Sequence, residues 1–362
     1  MRVVVLGGTG NFGARIVRAL KDDPGVELVA TARQVRVVAG AERVPVRALD
    51  LSSAQFPAQL AALAPDVVVH TVGPFQGQGY QVARAALACG AHYLDLADGR
   101  EFVAGFARAV DADAQRAARV ALSGASTLPA LSSAVVDELV SDGLVPDTIE
   151  TAIAPGQRAP RGVATLQAVF SYLGRPVRVW AGGLWVHRTG WMDLERVPLR
   201  FGARWGALCD VPDLELFPQR YPSVRDVTFH AALEFAVQHV VLACLAWLVR
   251  SGVSVPVSRW CTGLDRFASV FDRFGGEWGG MRVSVAGKRN GSRTRRTWLL
   301  AAPAMDGPEI PCMAAIALVR KLARGETLQV GARACVGELT LSEFQPQFER
   351  WGIRTEIRTG ST

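Results

Sequence analysis

Glycine spacing near the amino terminus carries the clearest chemical signal in the sequence. Gly7-Gly8-Thr9-Gly10-Asn11-Phe12-Gly13 contains a G-x-G-x-x-G array. Before it stands Arg2-Val3-Val4-Val5-Leu6, apolar, β-branched and too short for a helix, which reads as a buried strand. After it, Ile16, Val17 and Leu20 recur at helical spacing until Asp22-Asp23-Pro24-Gly25 ends the pattern. Strand, glycine turn and helix in that order make the array a dinucleotide site rather than an ordinary tight turn. Glycines let the backbone come close to a pyrophosphate, and the helix start offers it unpaired N–H groups and the positive end of the dipole.

The coenzyme is decided at the end of the next strand, Val26 to Thr31. A carboxylate there binds the free ribose 2′-OH of NAD, whereas an arginine suits the 2′-phosphate of NADP. The sequence offers Arg33, with Gln34 and Arg36 behind it, and no acid after Glu27. A planar guanidinium gives a phosphate two parallel charge-assisted bonds. The expected coenzyme is therefore NADP, against the simpler alternative of a surface arginine in an arginine-rich chain.

Other candidate residues follow from strand ends. A third strand, Val44 to Asp50, brings Asp50 to the adenine side, where it serves equally well as a turn or cap residue. Val67 to Val72 is the fourth strand, and its terminal Gly73-Pro74 is expected beside the nicotinamide half. His70 reads as a core histidine. Proton donors near the strand ends are Tyr80, Tyr93 and Asp98, with His92, Asp95 and Ser126 behind them; Asp95 and Asp98 serve equally as caps of the next helix. No tyrosine has a lysine four residues on, so the Tyr-x-x-x-Lys acid of short-chain dehydrogenases is absent.

These residues need a scaffold that presents strand ends side by side. Helical patterns at Ala54–Leu63, Tyr80–Cys89 and Arg100–Ala118 alternate with strands at Ala91–Leu96 and Arg119–Ser123, and Gln76 to Gly79 reads as a flexible loop. Such alternation implies right-handed crossovers and a parallel sheet. The fold class is α/β: an N-terminal Rossmann-type, doubly wound parallel sheet over residues 1–127, with a second α+β domain over 128–362. The last part of the chain has the option of packing back on the first domain.

The first third also resembles the saccharopine dehydrogenase-like family, through Gly7 to Gly13, Thr71-Val72-Gly73-Pro74-Phe75, Gly90-Ala91-His92-Tyr93-Leu94-Asp95 and the turn Gly124 to Pro129. Beyond it the similarity continues only in outline, through Ala154 to Pro160. The resemblance implies an NADP-binding Rossmann domain, a following α+β domain that covers the substrate, and hydride transfer to an imine or, in some branches, an activated double bond. It departs from the saccharopine-forming pattern at Leu128-Pro129-Ala130, where an Asp-Pro-Gly is usual, and at Phe75 in place of a tyrosine. Saccharopine itself is accordingly not expected as the substrate.

In the second half, Thr148 to Ala154 reads as a strand, Gly156 to Gly162 as a loop facing the cofactor or merely connecting domains, and Thr165 to Leu173 as a helix. Pro176 to Trp191 alternates, with Val177, Val179, Leu184 and Val186 on the apolar face. Phe229 to Val249 is the most hydrophobic stretch, with only Glu234, Gln238, His239 and His230 interrupting it; a buried or interface helix is favoured over a membrane-surface anchor or a wall for a lipid-like substrate. Lys288-Arg289-Asn290-Gly291 between two β-rich runs predicts a hairpin. A helix after Pro311 runs to Arg324 with Gly325 as its cap, and a C-terminal helix and strand follow Phe344.

Composition sets the outer limits. At 362 residues, two domains are expected. The net charge of +7 is almost wholly arginine, since Lys21, Lys288 and Lys321 are the only lysines, and no nucleic-acid motif accompanies it. Six dispersed cysteines without C-x-x-C spacing predict free thiols and no metal site. The amino terminus opens on a strand rather than a signal-like leader, so a cytoplasmic location is expected.

The resulting expectation is an NADP-dependent oxidoreductase acting on an imine or amino-acid-like small molecule, working as a homodimer, with membrane association open but not favoured. An enoyl-type reductase for a hydrophobic chain and a non-catalytic NADP-sensing protein are the alternatives.

Overall fold

The computed structural model describes residues 1–160, 167–168, 171–253, 257–303 and 305–361, without the side chains of 257–262 and 361. The chain divides into two compact units, one of residues 1–131 and 308–339 and the other of 132–307 and 340–362.

The first unit is built on a parallel sheet. Its strands β1 (Arg2–Leu6), β2 (Glu27–Ala32), β3 (Val46–Ala48), β4 (Val67–His70), β5 (His92–Asp95) and β6 (Val120–Ser123) lie in the order β6-β5-β4-β1-β2-β3. A seventh strand, Gly331–Ala334, pairs in parallel with β6 and forms the outer edge. Val3, Val4, Val5, Val67, Val68 and Val69 are fully buried, as expected for central strands covered by helices on both faces. Chain order reverses between β1 and β4, where Leu6 stands opposite His70. In an open parallel sheet, a ligand crevice forms at such a reversal.

The helices of this unit are α1 (Asn11–Leu20), α2 (Phe56–Ala62), α3 (Gln81–Ala88) and α4 (Arg100–Ala117), joined later by Ile310–Ala323. Ile16, Val17 and Leu20 of α1 are buried together, the face their spacing predicts. The ion pair Arg15–Glu309 (3.0 Å) ties α1 to the start of the returning helix, and Arg320 pairs with Asp23 at 2.7 Å. The seventh strand escaped the sequence reading because Gly331-Ala332-Arg333-Ala334 has neither β-branched residues nor alternation.

In the second unit, α5 (Ser132–Val140) precedes a mixed sheet. The strands are β7 (Val145–Ala154), β8 (Pro176–Ala181), β9 (Leu184–Thr189), β10 (Glu195–Leu199), β11 (Gly202–Leu208), β12 (Asp226–Ala231), β13 (Trp278–Arg289) and β14 (Ser292–Pro303), followed by Arg354–Ser361. Thr151 of β7 stands opposite Phe229 of β12 on one side and Val283 of β13 on the other. Asn290 (φ 49°) and Gly291 (φ 81°) close the β13–β14 hairpin, both with the positive φ that a two-residue hairpin turn demands.

Two expectations need correction here, and a third lies largely outside the described residues. Leu184 is 69% exposed; among the described residues β9 pairs only with β8, at the margin of the sheet. The stretch Phe229 to Val249 is two elements, the end of β12 and a helix Ala236–Arg250, broken where Leu233 N donates to His239 Nε2. The helix expected at Thr165 to Leu173, and the end of the loop at Gly162, lie largely outside the described residues.

Candidate functional site

Gly7 and Gly13 of the amino-terminal turn each have a steric reason. Gly7 has φ +77°, and a Cβ there would stand 2.8 Å from Val72 Cγ2. A Cβ on Gly13 would lie 2.2 Å from the Gly7 carbonyl oxygen, so α1 packs against the turn only without a side chain. Gly10 differs: its one near neighbour would be Gly7 O at 3.1 Å, and it is exposed. The outer rim of the turn is thus open, while its inner side is closed.

Gly8 N donates to Thr31 O and Gly10 N to Gly7 O, which fixes the loop against β2 and upon itself. Helix α1 starts at Asn11 with Gly10 as N-cap and without a side-chain cap bond. Asn11 Oδ1 instead accepts from Arg15 Nη1 at 2.6 Å. An uncapped helix start with no acid in its first turn, behind an open glycine, is a cradle for an anion. Thr9, Asn11 and Phe12 are half-buried around it.

Arg33 follows the last residue of β2 and is exposed, with no ion pair among the described residues. Asp50 is also exposed; its Oδ1 accepts from Ser52 N (3.0 Å) and Ser52 Oγ (2.8 Å), and these bonds hold its carboxyl below the usual carboxylate range. Arg33 adds a smaller push in the same direction. Asp50 is therefore in a turn six positions before the first residue of α2, and the cap of that helix is Gln55.

The turn after β4 lies beside the glycine loop, since Thr71 Oγ1 donates to Leu6 O at 2.8 Å. Gly73 and Pro74 follow, half-buried. Gln78 Nε2 donates to Val72 O (2.9 Å) and Pro74 O (2.6 Å), so the segment expected as a flexible loop is pinned from within. Nothing in composition marks Gln78 for this role; only the fold brings its amide over the two carbonyls.

Beneath this turn is a cluster of aromatic and ionisable groups. His70 Nδ1 and Tyr93 OH are 2.9 Å apart, and both residues are buried. Burial lowers the His70 pKa to about 3 and raises that of Tyr93 well above its ordinary value. Tyr93 stacks on Phe106 at 5.8 Å, and Phe75 meets His70 edge-on at 5.0 Å. Tyr80 OH donates to Phe102 O (3.0 Å) and its ring lies 4.8 Å from that of Phe102. Both tyrosines are engaged in packing and in bonds to the chain.

Asp95 is fully buried at the end of β5. Its Oδ1 accepts from Gly124 N (2.8 Å), Ala97 N (2.9 Å) and Ser123 Oγ (3.0 Å). Burial outweighs these bonds and pushes its carboxyl up to about 6. Asp98 is half-buried, with Gln76 Nε2 3.4 Å from its Oδ1. Burial raises its pKa as well. Neither acid caps α4, whose N-cap is Gly99 with no side-chain bond; both expectations of a cap are overturned. A Cβ on Gly99 would lie 3.4 Å from Gln76 N, so the start of α4 and the turn after β4 are in contact. Of the three donor candidates, Asp98 alone is a carboxylic acid, half-buried in the turn after β5. His92 stands at the opposite end of β5 and accepts from Val120 N at 3.1 Å.

Among the described residues, no group of histidine, cysteine and acidic side chains is placed to hold a metal ion. The described cysteines Cys89, Cys209, Cys244, Cys312 and Cys335 are free thiols.

Residues 3–124 match the model of the saccharopine dehydrogenase NADP binding domain. No curated protein matches the chain. Among solved structures, the fold is similar to apo saccharopine dehydrogenase (L-Glu forming) from Saccharomyces cerevisiae, with TM-score 0.71 at 11% identity, covering 99% of this chain and 100% of that one. It is also similar to homospermidine synthase from Legionella pneumophila in complex with NAD, with TM-score 0.65, 12% identity and coverage of 100% and 91%. An engineered D-amino acid dehydrogenase bound to NADP+ follows at TM-score 0.54 and 17% identity, covering 96% of each chain. At these identities the likeness establishes the architecture of both units.

Proposed function

Because the chain belongs to the saccharopine dehydrogenase-like family through its nicotinamide-coenzyme domain, residues 3–124, we propose that it is an NADP-dependent oxidoreductase acting on a C–N bond. The substrate class is an imine or the corresponding amine of an amino-acid-like molecule, other than saccharopine. The observation that carries this reading is the open Gly10 rim in front of the uncapped start of α1. Supporting it, the similar structures named above are an L-Glu-forming saccharopine dehydrogenase, a homospermidine synthase and a D-amino acid dehydrogenase.

In this reading the N–H groups at the start of α1 hold the pyrophosphate and Arg33 binds the 2′-phosphate. The turn Gly73–Pro74, held by Gln78, supports the nicotinamide side. When bound, the coenzyme supplies or accepts the hydride. Asp98 manages the proton. In reduction it gives a proton to the nitrogen as the neighbouring carbon gains hydride; in oxidation its carboxylate takes one back. A raised pKa suits that task, because more of the acid form remains near neutrality.

The test is NADPH consumption by the full chain with cyclic imines, with pairs of 2-oxo acid and amine, and with enoyl thioesters. Turnover of the nitrogen-containing substrates alone is expected. Turnover of the thioesters alone would replace this reading with an enoyl-type reductase, and tight NADPH binding without turnover of any would leave a coenzyme-sensing protein.

A further inference from the structure

The helix Ala236–Arg250 is apolar on two faces. One face, with Leu242 and Ala246, is buried in its own unit. The other carries Val237, Val240, Cys244 and Trp247, spaced three, four and three residues apart and all exposed; Val240 and Trp247 are 55% and 58% exposed. The next stretch of chain adds more of the same kind. Val270 and Phe274 are 61% and 62% exposed. The rings of Phe235 and Phe271 meet at a tilt, 5.1 Å apart, so the start of the helix lies beside the residues just past the end of the following one, Val257–Ser269.

The exposed charges on this surface have one sign. From Ala236 to Phe274, every exposed charged side chain among the described residues is an arginine: Arg250, Arg266 and Arg273. The nearby acids Glu234, Asp265 and Asp272 are half-buried. Asp272 Oδ1 accepts from Gln157 Nε2 at 2.8 Å, and Glu234 accepts from Gln157 N while pairing with Arg204. The first exposed acid beyond is Glu277, at the approach to β13.

We propose that this face, built on Val240, Trp247, Val270 and Phe274 and rimmed by Arg250, Arg266 and Arg273, docks on an anionic lipid surface. Aromatic and aliphatic groups that lie in the headgroup boundary, with arginines beside them, are what such a surface selects. The helix would lie in the plane of the surface, since among the described residues no helix is long and apolar enough to cross a membrane. A second copy of the chain is a poorer occupant: it would bring three more arginines to the same face, on a protomer of net charge +7. Lipid docking would bring the chain to hydrophobic amines or imines held in the same layer, a point that rests on the proposed function; the docking itself does not.

Flotation of the full chain with phosphatidylcholine vesicles, with and without phosphatidylglycerol, tests this. Binding is expected only with the anionic lipid, weakening at high salt as the arginines are screened. Each of Arg250→Gln, Arg266→Gln and Arg273→Gln should lower partition roughly fivefold. Trp247→Ser should lower it further, and circular dichroism confirms that these surface variants fold. Absence of binding, or equal binding to neutral and anionic vesicles, would overturn the proposal. So would a dimer, seen by sedimentation, that Trp247→Ser dissociates without any vesicle binding by the parent chain, because the face would then be a self-association interface.

Discussion

Asp95 Oδ1 accepts the backbone N–H of Gly124 at 2.8 Å, and this bond joins the end of β5 to the turn after β6. The same oxygen takes Ala97 N and Ser123 Oγ, so one carboxylate organises both turns on this side of the crevice. Removing it leaves buried donors without an acceptor, at a cost of 1–3 kcal/mol for each by rough measure. Asp95→Ala is expected to lose on the order of 3 kcal/mol in urea unfolding. Asp95→Asn retains an oxygen there and should lose less.

Asp95 and His70 pull the pH dependence of stability in opposite directions. The Asp95 carboxyl, raised to about 6 when folded, titrates near pH ~3.9 when unfolded. Its stabilising contribution is therefore lost as pH rises from about 4 to 6. His70, lowered to about 3, titrates near pH ~6.5 when unfolded, and its contribution is lost as pH falls below that value. Between pH ~4 and 6 the two slopes offset each other. Asp95→Asn should expose the histidine alone, so that the variant loses stability on acidification by up to roughly 1.4 kcal/mol per pH unit more steeply than the parent. Equal slopes in denaturant titrations across this range would refute the pairing.

Gly10 and Gly13 should separate binding from folding. Gly13→Ala places a methyl 2.2 Å from the Gly7 carbonyl, and both melting temperature and coenzyme affinity are expected to fall. Gly10→Ala meets only Gly7 O at 3.1 Å and projects into the open rim. It should melt near the parent temperature yet bind coenzyme on the order of tenfold more weakly, a loss of about 1.4 kcal/mol.

Arg33 should govern the choice between coenzymes. A charge-assisted bond to phosphate contributes about 1.5–3 kcal/mol. Arg33→Ser is therefore expected to weaken NADPH binding roughly tenfold to a hundredfold, with NADH binding unchanged. Parallel loss for both coenzymes would mean that Arg33 does not touch the 2′-phosphate.

Asp98 is the expected proton donor. Asp98→Asn should lower kcat about a hundredfold or more, with coenzyme affinity retained. In the parent enzyme, reduction should slow as pH rises through the elevated Asp98 pKa, because the proton to be given is then lost. Loss of that limb in the variant, while residual turnover persists, would confirm the assignment.

Much of the coenzyme half was legible because its causes are local. Alternating strands and helices, the glycine turn and the Asn290-Gly291 hairpin each write their geometry into a few neighbouring residues. The edge strand Gly331–Ala334 was not legible, since its β character comes only from pairing with β6. Nor was the work of Gln78 or Asp95, whose partners are fixed by tertiary placement. Hydropathy marked the stretch around Ala236–Arg250 but could not distinguish its covered side from its bare one, where Trp247 stands.

Titration calorimetry of the purified chain with NADPH and NADH, repeated with Gly10→Ala, addresses the central claim most directly. One coenzyme per chain, tighter for NADPH and weakened in the variant, is the predicted result. Failure of the parent protein to bind either coenzyme would contradict the account.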